Sequence, residues 1–184
     1  MEDSNTSIEQ LKSNLNFSFP HAEINDIAVT IPFRDLYAIN PGGGINSNII
    51  DMTKWVRLHL SKNGFQNIIQ AETLQEMHTM QMTISSSSNN NEEIYQLGYG
   101  LGWLIGKYRG HDLISHGGDI DGFSSDISLL PTKGIGLVIL TNSSSDGRYV
   151  ISNVRNQIFD KILGKERINW QKKCKKREIK LKLS

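Results

Sequence analysis

The stretch Ser115-His116-Gly117-Gly118-Asp119-Ile120-Asp121-Gly122-Phe123-Ser124-Ser125 is where an apolar run meets two glycines and then resumes. Residues 112–115 read as a short strand that ends at the histidine. Two glycines after a strand end carry no Cβ, so a backbone there can approach another chain or a substrate closely. His116 is therefore a candidate acid/base or an electrophile on the oxyanion side of a reaction, because imidazole titrates near neutrality. The same residue also reads as a histidine satisfied at a strand end.

Around this stretch the period is that of strands. Residues 95–100, 101–107, 123–130 and 135–141 are short apolar runs separated by turn residues. Two hairpins are expected, one turning at Tyr108-Arg109-Gly110 and one at Pro131-Thr132-Lys133-Gly134, where proline presets a dihedral and glycine accepts a positive one. The run Ile135-Gly136-Leu137-Val138-Ile139-Leu140 is apolar on both faces, which predicts a central strand covered by helices on each side.

Further out the period becomes helical. Pro41-Gly42-Gly43-Gly44 predicts a turn that few side chains would tolerate, and Asn46-Ser47-Asn48 offers caps for the helix after it. Met52, Trp55, Val56, His59 and Leu60 fall on one face of that helix, with Asn63-Gly64 as its stop. A second, short helix is expected over residues 72–80, with Leu74 and Met77 on one side. Val150, Ile151, Val154, Ile158 and Ile162 predict a helical apolar face lying on the sheet, with Gly164 as the cap. Residues 1–40 read as an extended lead-in, residues 84–94 as a polar, mobile surface loop, and residues 165–184 as a basic, solvated tail with nine Lys/Arg against two Glu.

A chain of 184 residues predicts one domain with one core. With 20 Lys+Arg against 19 Asp+Glu it lacks the overall charge of a nucleic-acid binder. The single cysteine, Cys174, excludes an intramolecular disulfide framework and a cysteine-rich zinc site, and the five histidines show no H-E-x-x-H pattern, so neither metal nor cofactor is expected. His59 is expected in or beside the core, and His111 facing solvent. No apolar run approaches the length of a membrane-spanning helix and the polar first residues do not read as a signal peptide, which predicts a soluble chain, cytoplasmic by default.

Several landmarks follow one another in order: Pro41-Gly42-Gly43-Gly44-Ile45-Asn46-Ser47 with Asp51, Met52 and Trp55; Gly98-Tyr99-Gly100-Leu101-Gly102-Trp103; Ser115-His116-Gly117-Gly118 with Gly122-Phe123-Ser124-Ser125; then Leu130-Pro131 and Leu140-Thr141-Asn142. Together they resemble the C-terminal half of the β-lactamase-related serine hydrolases, the enzymes similar to class C β-lactamases, D-alanyl-D-alanine carboxypeptidases and penicillin-binding proteins. The resemblance implies an α+β chain: a partial β-lactamase/transpeptidase-like fold over residues 41–164, with helices packed on an antiparallel sheet and without the N-terminal helix and first two strands.

By the same resemblance His116-Gly117-Gly118 matches the His-x-Gly form of the family's third catalytic element. His116 would position or protonate substrate, the backbone N–H of Asp119 would stabilise the oxyanion, and Gly117 and Gly118 would let substrate pair along the strand. The family's nucleophile lies in Ser-x-x-Lys, yet no serine here has a lysine three residues on. No tyrosine begins a Tyr-x-Asn, and Ser87-Ser88-Asn89 and Ser88-Asn89-Asn90 fit the Ser-x-Asn form only through the composition of their loop. The expectation is a portion of an amide- or ester-cleaving acyl-serine hydrolase, inactive as this chain. The alternative is a non-catalytic module presenting the His116 strand to a peptide or partner.

Removing the first two strands would also leave residues 135–141 at a sheet edge. Such an edge invites a partner strand, from an N-terminal half, from a second copy, or from residues 20–31 of the same chain. Substrate in the complete enzyme is expected to be a small molecule or peptide, with neither nucleic acid nor membrane as partner.

Overall fold

The computed structural model describes residues 1–61, 68–84, 93–143 and 147–172. In chain order these form α1 (Ile8–Ser13), β1 (His21–Ile24), β2 (Ile27–Thr30), a one-turn α2 (Asn40–Gly43), α3 (Ile49–Leu60), α4 (Ala71–Met77), β3 (Met82–Thr83), β4 (Ile94–Tyr99), β5 (Leu104–Tyr108), β6 (His111–Ile120), β7 (Phe123–Leu130), β8 (Ile135–Thr141) and α5 (Gly147–Ile162). This is the α+β architecture expected, with antiparallel sheets and helices. The expected single core is corrected, because the chain divides into two compact units. The expected polar loop falls almost wholly on residues 85–92, and most of the basic tail on 173–184; both stretches, with the Asn63-Gly64 stop, lie outside the described residues.

The first unit comprises Met1–Phe17, Asp35–Gly118 and Asp126–Leu140. Its sheet has the order β3-β4-β5-β6-β7-β8, a meander in which neighbours in sequence are neighbours in space. Short turns make this possible. Between β5 and β6 only Arg109 and Gly110 intervene, both at positive φ (47° and 88°), the backbone twist that suits a two-residue hairpin. After β7, Pro131–Lys133 forms a single 3-10 turn, and Gly134 at φ 64° reverses the chain into β8.

Val56, Trp103, Ile114 and Leu129 form the buried core of this unit, with Leu60, Met77, Ile105, Ile127 and Val138 packed against it. Gly136 is needed for the fit, since a Cβ there would lie 2.2 Å from Val56 Cγ1. Helix α3 begins where expected: Asn48 Oδ1 accepts from the Asp51 N–H at 2.9 Å, satisfying one of the helix's unpaired donors. Asp51 is buried and accepts from the Asp3 N–H, the Ser4 hydroxyl and Lys54 Nζ at 2.9, 3.0 and 3.0 Å. Burial alone would raise its pKa; the bonds from Lys54, Asp3 and Ser4 and the Lys54 charge outweigh that and hold it below the usual carboxylate range.

The second unit comprises Ser18–Arg34, Asp119–Ser125 and Thr141–Ser184. Here β1 and β2 pair with each other around Asn25-Asp26, both at positive φ, in a separate two-stranded sheet. Gly122 holds φ 81°, and a Cβ on it would lie 2.2 Å from Pro20 Cβ, so the turn after β6 closes directly on the chain entering β1. Ile151, Phe159 and Trp170 are buried, and Trp170 Nε1 donates to Asp160 Oδ2 at 2.7 Å. Gly164 at φ 61° ends α5 as expected, with Lys165 N–H donating to the Asp160 carbonyl.

Several expectations change. Residues 1–40 contain α1 and the β1–β2 hairpin rather than an extended lead-in. Of the glycines in the 41–44 turn, Gly44 alone is crowded by backbone, with Asn40 Cα 2.9 Å from where its Cβ would sit; Gly42 faces open space. β6 does not stop at Ser115 but runs through both glycines to Ile120, because β7 pairs alongside it. Among the described residues, 135–141 form an edge strand, as the absence of the first two strands implies, rather than the central strand that their apolar run alone predicts, half-exposed along most of its length. Residues 21–30 are occupied in their own hairpin and do not extend that edge. On α5 the expected apolar face is buried only in part: Ile151 is buried and Ile158 half-buried, while Val150, Val154 and Ile162 are exposed and Asn153, Asn156, Phe159 and Asp160 are buried in their place.

Candidate functional site

His116 lies in the first unit, exposed, on the part of β6 that continues past β5. Pairing of these two strands runs from Tyr108↔His111 to Leu104↔Ser115, and β5 begins at Leu104. His116, Gly117 and Gly118 therefore follow the last β5 pair on an exposed strand end. Upstream, the Lys107–Asp112 ion pair at 2.6 Å sits on directly opposed residues and ties the hairpin that carries the site.

The imidazole has a partner that sequence reasoning missed. Tyr99 Oη lies 2.8 Å from His116 Nε2, with the rings edge-on at 6.0 Å between centroids. Tyr99 closes β4 between two glycines that are both closely approached: a Cβ on Gly98 would lie 2.4 Å from the Met82 carbonyl oxygen, and one on Gly100 2.3 Å from that of Met77. The signal was the Gly98-Tyr99-Gly100 spacing itself.

Asp119, expected to supply a backbone donor, belongs to the second unit, where its carboxylate accepts from the buried Ser124 hydroxyl at 2.8 Å. In that unit Asp121 also pairs with Arg34 at 2.9 Å. His21 Nε2 is 3.1 Å from Thr30 Oγ1, and Asn142 Nδ2 reaches both His21 Nδ1 and the Phe19 carbonyl at 3.2 Å.

His59 is buried, as expected, but not alone. Its Nδ1 is 3.0 Å from His78 Nε2, and the indoles of Trp55 and Trp103 stand edge-on to it at 4.5 and 4.7 Å between centroids. Its Nε2 is buried without a hydrogen-bond partner among the described residues. Burial, and then the neighbouring His78, push its pKa down to about 4; burial also lowers that of His78. No cluster of three or more His, Cys, Asp or Glu side chains able to hold a metal occurs among the described residues. No helix among the described residues is long and apolar enough to cross a membrane. One further Ser-x-Asn, Ser61-Lys62-Asn63, follows α3 and went unnoticed in the sequence; Ser61 caps the helix and the other two lie outside the described residues.

Comparison with known proteins bears on this geometry. The sequence model of the family described as Beta-lactamase matches residues 9–158. The unguisins hydrolase of Aspergillus campestris is 27% identical over 184 aligned residues, taking in 94% of this chain and 31% of its own length. Among solved structures, the octameric penicillin-binding protein homologue from Pyrococcus abyssi superposes with a TM-score of 0.75 at 24% identity, over 90% of this chain and 35% of that one. The β-lactamase/D-alanine carboxypeptidase from Yersinia pestis, complexed with citrate, gives 0.60 at 16% identity, over 89% and 45%. These are likenesses of fold. The chain spans about a third of the length of the curated relatives it matches.

Proposed function

Because this chain belongs to the beta-lactamase family, we propose that it is the C-terminal portion of a serine hydrolase that cleaves an amide or ester through an acyl-serine intermediate. The observation that carries the reading is the exposed end of β6, where His116 and two glycines follow the last β5 pair. An extended substrate laid along such a strand meets backbone unobstructed by side chains at Gly117 and Gly118. In the complete enzyme a serine hydroxyl of the remaining portion passes its proton to a base of that same portion as its oxygen attacks the carbonyl carbon, and charge develops on the carbonyl oxygen. The backbone N–H of Asp119 stabilises that oxyanion. His116 positions the substrate or passes a proton to the departing amine or alcohol as the acyl bond breaks. Water then releases the acid and restores the serine.

On this reading the chain alone is inactive, since none of its serines stands in Ser-x-x-Lys. The test is turnover of a chromogenic ester and a chromogenic cephalosporin by the purified chain, together with fluorophosphonate labelling. Neither turnover nor label is expected. A labelled serine would place the nucleophile within these 184 residues and overturn the assignment.

The edge strand β8 adds a partner to the proposal. It carries no charge and no proline, the residues that ordinarily keep an edge from pairing, and Leu140 on it is exposed. We assign this edge to a strand of the missing portion, and a second copy is the competing outcome in a sizing experiment. The exposed end of β6 equally suits a second reading, a non-catalytic module that binds a peptide by strand addition. Peptide binding without activity in the complete protein would favour it.

A further inference from the structure

We infer that Tyr99 is a positioning residue for His116, holding Nε2 by a hydrogen bond so that Nδ1 is the nitrogen left to face the substrate. The inference rests on the reading of His116 given above and adds to it which end of the imidazole acts. The geometry is direct, with Oη and Nε2 2.8 Å apart.

Chemistry sets the direction of the bond. A phenol with a reference pKa of about 10 is a better donor than a neutral imidazole N–H, and the unprotonated ring nitrogen is a better acceptor than a phenolic oxygen. Tyr99 Oη–H therefore donates to Nε2, and the imidazole proton resides on Nδ1 in the neutral form. The bond fixes the orientation of the ring and leaves Nδ1–H as the hydrogen-bond donor offered to substrate.

Tyr99 can hold that position because its backbone is clamped on both sides. Its carbonyl accepts from the Gln81 N–H at 2.9 Å, Gly100 N–H donates to the Trp103 carbonyl at 2.7 Å, and Leu101 N–H donates to the Met77 carbonyl at 3.0 Å. Gly98 and Gly100 lack the Cβ atoms that would push residues 77–82 away from the strand. The phenol is thus set by a laced segment rather than by its own rotamer alone.

The experiment is nitrogen-detected NMR of the histidine side chains in the wild-type chain and in Tyr99→Phe at neutral pH. Wild type should show His116 as the Nδ1–H tautomer, and Tyr99→Phe should lose that preference and give the mixed tautomers of a free imidazole. A mixed population in wild type, or an unchanged tautomer in Tyr99→Phe, overturns the inference. If Tyr99→Phe fails to fold, the wild-type spectrum decides by itself, and Gly100→Ala supplies a second variant in which a displaced Tyr99 should lose the same tautomer. Because the readout is the ring proton and not turnover, loss of the catalytic reading would leave the tautomer result standing, and the two failures are distinguishable.

Discussion

Replacing His59 by Phe tests whether buried imidazole, held neutral by its surroundings, makes this fold acid-sensitive. Its pKa falls from 6.5 to about 4, so the folded state resists a proton that the unfolded chain accepts. A group with a depressed cationic pKa contributes nothing to pH dependence above about 6.5, where both states are neutral, and destabilises progressively as pH falls from there towards about 4. The full shift corresponds to about 3 kcal/mol, and water reaching the pair through half-exposed His78 reduces it to about 2. Between about pH 7.5 and about pH 5 wild type should lose about 1.5 kcal/mol from this residue. Phenylalanine retains the contacts with Trp55 and Trp103, removes the orphaned Nε2 and forfeits the bond to His78; at neutral pH these changes should offset to within about 1 kcal/mol. Urea unfolding followed by tryptophan fluorescence at both pH values measures the difference, with His78 keeping its own smaller share of the slope. Equal pH dependence in the two proteins would refute the argument, because it would locate the acid sensitivity elsewhere.

Gly136→Val should destabilise the first unit by about 1–3 kcal/mol in urea unfolding, since the new side chain would be forced into Val56 and Leu60. Trp170→Phe leaves the buried Asp160 carboxylate without its indole donor and should cost about 1–3 kcal/mol, read the same way. Leu140→Lys places a charge on the open β8 edge. It should reduce light scattering at high protein concentration with little change in unfolding midpoint, whereas an unaltered tendency to associate would mean that another surface drives it.

Much of the fold was legible where local chemistry decides. Asn48 before an apolar helical stripe, Arg109-Gly110 between strands and Gly134 after proline each specify a backbone conformation within a few residues, and each was found as read. The β1–β2 hairpin was missed although Asn25-Asp26 between Ile24 and Ile27 carries the turn signal, because both strands are largely exposed and short of the alternation that marks a buried face. The α5 face was misread for a different reason. Its buried polar side chains are made tolerable by distant partners such as Trp170, and no window along the helix contains that information. The candidate site divides in the same way. His116 was visible through the glycines after it. Its contact with Tyr99, and that of His59 with His78, join residues 17 and 19 positions apart and depend on tertiary packing.

The irregularity in β4 has a consequence for how the chain must fold. Gln96 pairs with Gly106 and Gly98 with Ile105, so Leu97 is an extra residue with no opposite number. That single insertion sets Tyr99 against Leu104, and Leu104 in turn is set against Ser115, the neighbour of His116. The two hairpins thus act as a vernier. Excising Leu97, or letting either strand slip by one step, would shift the phenol by about 3.3 Å along the sheet, beyond the reach of a hydrogen bond. A chain folded in the slipped alignment would keep its strand content, and so pass unnoticed by circular dichroism, while having lost the pair on which His116 depends. Proofreading of alignment, rather than of overall foldedness, is what the assembly of this sheet has to achieve.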